Sequence, residues 1–123
     1  MAFVTDRKRA VGLGAAKAGT EHFWSMTKSS AALLVLVPLF VFTFGPMLGR
    51  PHAEVVAFFA RPFPAIVAGL TIVVGFLHFK NGVQVLIEDY SDVLTRKILI
   101  MVMTGVSYAG AATGLFAIAR IAL

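Results

Sequence analysis

Three long apolar stretches, separated by polar breaks, organise this chain. They run from about residue 30 to 48, from about 64 to 87, and from about 98 to 119. Each reaches the roughly 20 residues a helix needs to cross a ~30 Å hydrocarbon core. Helix is the expected form, because an isolated strand in lipid leaves its backbone N–H and C=O groups unpaired. The pattern predicts an all-α integral membrane protein. Three transmembrane helices occupy residues 28–123, behind a polar, basic, glycine-containing segment at residues 1–27. The first apolar run begins too late for a secretion signal and no small-residue cleavage site follows it, so the first helix reads as an uncleaved anchor.

The breaks have a pattern of their own. Phe23 and Trp24, just ahead of the first apolar run, suit the aromatic belt at a membrane surface. The first loop, Gly49 to Phe63, is punctuated by Pro51 and Pro62, with Pro64 just beyond it. Val55, Val56, Phe58 and Phe59 between them predict a short interfacial helix opened by Pro51 and His52. It reads as a connector lying on the lipid.

Composition supports the membrane assignment. The chain is 59% hydrophobic and 14% charged, more apolar surface than a soluble domain of this size can hide. A net charge of +5 raises the question of nucleic acid. The basic residues, however, are scattered at the edges of the apolar runs, where they orient a membrane protein, so lipid is the expected partner and no nucleic acid is. Arg7, Lys8, Arg9, Lys17 and Lys28 precede the first helix, and Arg96 and Lys97 lie in the second loop. Only Arg50, Arg61 and Arg120 stand on the other side. The excess puts the N-terminus and second loop in the cytoplasm, and the first loop and C-terminus on the periplasmic face. With no cysteine in the sequence, disulfides, thiol catalysis and iron–sulfur ligation by this chain are excluded, and any such cluster belongs to a partner.

His78 lies inside the second helix, about nine residues from its cytoplasmic end, so roughly 13 Å deep at 1.5 Å per residue. A titratable residue at that depth is costly and marks a functional hypothesis by default. It is either a neutral histidine hydrogen-bonded to a neighbouring helix or a ligand. Gly75 and Gly82, at i−3 and i+4, share its face. Bare glycines there make a recess in which a planar ring can approach the backbone, though small residues also serve plain helix packing. Neutral imidazole suits haem iron, and one histidine supplies one axial ligand.

Glu88, Asp89 and Tyr90 follow where the second helix meets the cytoplasmic surface. Eleven steps of 100° bring Asp89 within about 20° of the His78 face, roughly 16 Å along the axis. A phenol donor beside a carboxylate suits a quinone, whose reduction consumes two protons drawn from water. The alternative is that these residues only cap a helix among the headgroups. Lys80, about 200° from His78, reads as a snorkelling side chain or the partner of another subunit. His22 and His52 fall at opposite membrane faces, and neither is positioned to share a metal with His78.

The string His78-Phe-Lys-Asn-Gly82-Val-Gln-Val-Leu-Ile-Glu-Asp89-Tyr90 resembles the signature of the D-type membrane anchor of succinate dehydrogenase, respiratory complex II. Gly14-Ala-Ala-Lys17-Ala-Gly19-Thr20-Glu-His22-Phe-Trp24 is similar to the segment before the first helix in α-proteobacterial members. With three spans of matching topology, the resemblance covers nearly the whole chain.

It implies half of a heterodimeric anchor helix bundle in a bacterial inner membrane. A flavoprotein subunit oxidises succinate, an iron–sulfur subunit carries the electrons, and two anchor subunits hold haem b between them. The resemblance gives His78 as one axial ligand to the haem iron, with the second from the C-type anchor, and Gly82 as the residue packed on the haem. It gives Tyr90 as the hydrogen-bond donor to ubiquinone and Asp89 as its proton path. Where relatives carry an arginine followed two residues later by threonine, near quinone and haem, the corresponding positions here are Lys28 and Ser30. Lysine keeps the charge and loses the planar fork of donors. The chain is not an enzyme alone, since it brings neither flavin nor clusters. The rival readings are the anchor of a fumarate reductase and a cofactor-free helical scaffold or transporter.

Overall fold

The structure, a computed structural model, describes residues 4–12 and 19–123. Residues 14–18 of the N-terminal motif, Lys17 among them, lie outside the described residues. Among the described residues five α-helices follow one another: α1 (Asp6–Val11), α2 (Gly19–Phe44), α3 (His52–Phe59), α4 (Pro62–Tyr90) and α5 (Val93–Ala122). Among the described residues there is no strand. Three helical spans among the described residues are long and apolar enough to cross a membrane: Thr20–Met47 with 28 residues, Pro62–Tyr90 with 29 and Val93–Ala122 with 30. At 1.5 Å per residue each is about 42–45 Å long, more than the ~30 Å hydrocarbon core, so their polar ends stand among the headgroups. The helices outrun the apolar stretches because a helix carries its own backbone hydrogen bonds and needs no apolar residue to continue into the interface.

The turns follow from glycine and proline. α2 tightens into a 3-10 turn at Gly45–Met47, and Gly49 takes a left-handed φ of 76°, which any side chain would strain. Pro51 then precedes α3, in agreement with the helix expected in this loop. α4 opens on Pro62 at its first turn, where the missing N–H is one the helix does not use. At the other end, Ser91 and Asp92 are both extended. Arg96 ties this bend, donating from Nε and Nη2 to the Ser91 carbonyl at 3.2 and 2.8 Å. So short a connection makes α4 and α5 antiparallel neighbours.

α4 is the central helix, packed against α5 on one side and α2 on the other. The α4–α5 approach is close. A Cβ on Gly110 would fall 2.5 Å from Cε1 of Phe76, and one on Gly114 would fall 2.8 Å from Cγ2 of Ile72. Two glycines one turn apart thus receive the side chains of α4, as small residues do between membrane helices. On the first-loop side, Phe40, Phe44, Phe58 and Phe59 form a chain of ring contacts at 5.5–6.2 Å. Phe59 of α3 is turned inward and buried in that cluster. Thr43, Thr71 and Ser107 return their hydroxyls to the carbonyl four residues back, which removes unpaired donors from the apolar interior. Of an apolar 18-residue stretch in each span, only 6% is buried on α2 and 11% on α5, against 28% on α4. The outer faces of α2 and α5 are open to lipid or to other chains.

Candidate functional site

His78 sits on α4, half-buried, where α2 crosses it. Its Nδ1 lies 3.0 Å from Oγ of Ser29 on α2. Ser29 Oγ is in turn 2.9 Å from the carbonyls of Ser25 and Met26. One turn along both helices, Nδ2 of Asn81 donates to Oγ of Ser25 at 2.9 Å. Asn81 is 4% exposed, so its amide is satisfied by the neighbouring helix rather than by water. Ser25 and Ser29 are spaced i, i+4 on α2, and His78 and Asn81 i, i+3 on α4, which puts each pair on one face. The two faces meet in antiparallel register and form a polar clasp within an otherwise apolar interface.

Gly75 and Gly82 flank His78, as the spacing requires. A Cβ on either would meet nothing within 4 Å. Gly110 and Gly114 are small because a neighbour of the same chain presses on them; among the described residues no contact requires Gly75 or Gly82 to be small. Gly75 also borders an apolar groove of about 410 Å³ lined by Phe40, Thr71, Ile72, Phe76 and Phe79. His78 therefore has a tethered Nδ1, while Nε2 makes no hydrogen bond to the described residues, on a helix face with room beside the backbone.

The second group of expected residues lies apart. Asp89 and Tyr90 close α4, exposed, with Tyr90 at 83%. Glu88 differs from them in being held, accepting from Nε2 of Gln84 at 2.9 Å. His78 and Asp89 share a face but stand roughly 16 Å apart along the helix, at 1.5 Å per residue. The structure thus has an inner station at His78 and a rim station at Asp89–Tyr90.

Lys28 and Ser30 are exposed; the hydroxyl that reaches His78 belongs to Ser29, the residue between them. Lys80 turns toward α5, its Nζ 5.9 Å from the centroid of the Tyr108 ring, within reach of a cation–π contact. His22 is half-buried, its Nε2 without a hydrogen-bond partner among the described residues, and His52 is exposed at the start of α3. Among the described residues no three His, Asp or Glu side chains converge as a metal-holding group. Ser25, Ser29 and Asn81 are site residues that sequence reasoning missed. Their one local signal is the i, i+4 serine pair ahead of the first apolar run.

Comparison with known proteins agrees with this architecture. Residues 1–116 match the family of succinate dehydrogenase/fumarate reductase transmembrane subunits. Over 123 residues, all of this chain and 95% of the relative, the sequence is 41% identical to the succinate dehydrogenase hydrophobic membrane anchor subunit of Paracoccus denitrificans. No solved structure matches the chain. A three-span helical protein with that likeness over its whole length belongs to the succinate dehydrogenase/fumarate reductase transmembrane-subunit family.

Proposed function

We propose that this chain anchors a succinate:quinone oxidoreductase in a bacterial inner membrane, N-terminus in the cytoplasm. In that complex His78 is one axial ligand to a haem b shared with a second anchor subunit, and Asp89–Tyr90 form part of a ubiquinone site. One observation carries this reading. A histidine inside a membrane helix has its Nδ1 tied by Ser29, and a Cβ on either glycine beside it would meet nothing within 4 Å among the described residues. A neutral imidazole on a face with that clearance is what a haem edge needs. Haem b, when bound, supplies a one-electron store beside the quinone.

The chain's own residues supply position and protons. α4 carries His78 at depth and Tyr90 at the rim, so one rigid helix sets the spacing of the two stations. Tyr90 donates its phenolic O–H to a quinone carbonyl, and Asp89, exposed to water, passes on the protons that quinone reduction consumes. The flavoprotein and iron–sulfur subunits dock on the cytoplasmic side, where Lys28, Arg96 and Lys97 gather. The family covers both succinate dehydrogenases and fumarate reductases; likeness to a succinate dehydrogenase anchor over the full chain favours the oxidative direction.

The test is the haem spectrum of the assembled complex. His78→Ala removes or converts the low-spin b-type signal. A variant that keeps full bis-histidine character overturns the ligand assignment.

A further inference from the structure

We propose that Ser29 is a positioning residue for His78: its Oγ accepts the Nδ1–H, which fixes the imidazole tautomer with the Nε2 lone pair facing outward from α2. The proposal rests on the haem reading above and deepens it, assigning a direction and a consequence to the Ser29–His78 contact.

The direction of the hydrogen bond follows from the oxygens around Ser29. Its Oγ lies 2.9 Å from two carbonyl oxygens, those of Ser25 and Met26. Carbonyls only accept, and the hydroxyl has one proton. Were that proton turned toward Nδ1, Oγ would face both carbonyl oxygens at 2.9 Å with no hydrogen between them. Directed at the carbonyls, in the usual back-bonded geometry of a helical serine, the proton leaves a lone pair for the Nδ1 group 3.0 Å away. Nδ1 is then the protonated nitrogen, and Nε2 carries the free pair. The tautomer of a ligating histidine is set by the hydrogen bond its other nitrogen makes.

Two further features make this a built arrangement. Asn81, 4% exposed, donates to Ser25 one turn away, which favours the register of α2 on α4 that brings Ser29 to His78. The acceptor is a neutral hydroxyl rather than a carboxylate, so the imidazole is oriented and modestly enriched in electron density without becoming an imidazolate. A more basic ligand favours ferric over ferrous iron, so the hydroxyl holds the haem potential below the value an untethered histidine would give.

The experiment uses the assembled complex in membranes, with Ser29→Ala, Ser29→Thr and His78→Ala beside wild type. The readouts are haem content, the low-spin EPR signal and the haem midpoint potential. Ser29→Ala is expected to retain haem, shift the potential to a more positive value and displace the largest g-value as the ring reorients. Ser29→Thr keeps the hydroxyl and is expected to restore both. A wild-type potential and EPR signal in Ser29→Ala overturn the proposal, as does a Ser29→Thr variant displaced as far as Ser29→Ala. His78→Ala separates the two levels. If it abolishes the low-spin signal while Ser29→Ala changes nothing, only the positioning role falls. If it leaves the signal intact, the ligand assignment falls and the role of Ser29 with it.

Discussion

Asn81 on α4 donates to Ser25 on α2 at 2.9 Å, across 56 residues of sequence. The amide is buried, while Ser25 lies near the N-terminal end of its helix and is exposed. The pair therefore bridges the wet and dry parts of the α2–α4 interface. It pins the register that also brings Ser29 to His78. Interhelical hydrogen bonds of this kind in membrane proteins average ~0.6 kcal/mol and reach ~1.7 kcal/mol.

The clasp predicts a coupling. Asn81→Ala and Ser25→Ala each lower the thermal stability of the purified complex. In a double-mutant cycle they are non-additive by about 0.5–1.5 kcal/mol. Additivity within ~0.3 kcal/mol means that the two side chains do not interact in the assembled protein. The same cycle run with Asn81 and Ser30, which is exposed and makes no contact with Asn81 in the described chain, provides the control and is additive.

Two pairs of glycines separate packing within the chain from packing outside it. Gly114 is pressed by Ile72, whose Cγ2 is 2.8 Å from where a Cβ would stand. Gly114→Leu therefore overpacks the α4–α5 interface at a cost of ~1–3 kcal/mol, and lowers the yield and melting temperature of the complex whether or not haem is present. Among the described residues nothing lies within 4 Å of the Cβ position of Gly82, so Gly82→Leu does not meet at its Cβ the conflict found at Gly114. The proposed haem lies on that face, and the predicted loss is in the haem-to-flavin ratio of the purified complex. Unchanged haem content and melting temperature in Gly82→Leu remove the haem from this surface.

How much of this was legible beforehand depends on the range of the interactions. Three spans can be read from apolar runs because helix formation in lipid is a local necessity. The in-phase arrangement of Gly75, His78, Gly82 and Asp89 can be read because the helix repeat is fixed. The helix at His52–Phe59 was signalled by its bounding prolines, but the inward turn of Phe59 onto Phe44 was not, since that depends on where α2 ends. Ser29 and Asn81 were invisible for the same reason. A serine in the first turns of a helix is ordinary, and its partner lies 49 residues away. Which side chain meets which across an antiparallel pair is decided by packing along the whole interface, to which no local pattern refers. Lys28 and Ser30 show the limit plainly: an offset of one residue on α2 turns a side chain by 100°, away from α4.

The rim of α4 yields the last prediction. Tyr90 is 83% exposed and its hydroxyl makes no hydrogen bond among the described residues, so Tyr90→Phe removes one oxygen with almost no change of volume. Folding, assembly and haem content should survive. If the phenol donates to a quinone carbonyl, its loss costs on the order of 0.5–1.5 kcal/mol of binding, and more if the carbonyl gains charge during reduction. Succinate-dependent quinone reduction should fall several-fold. Succinate oxidation with an artificial acceptor that draws electrons from the soluble subunits should stay near wild type. The contrast between the assays is the measurement, because an assembly defect lowers both. Asp89→Asn extends it: the neighbouring phenol is kept and the carboxylate lost, so quinone reduction should slow while the artificial-acceptor rate holds. Equal quinone turnover in Tyr90→Phe and wild type would move the quinone away from this end of α4 and leave Tyr90 as an anchor in the aromatic belt.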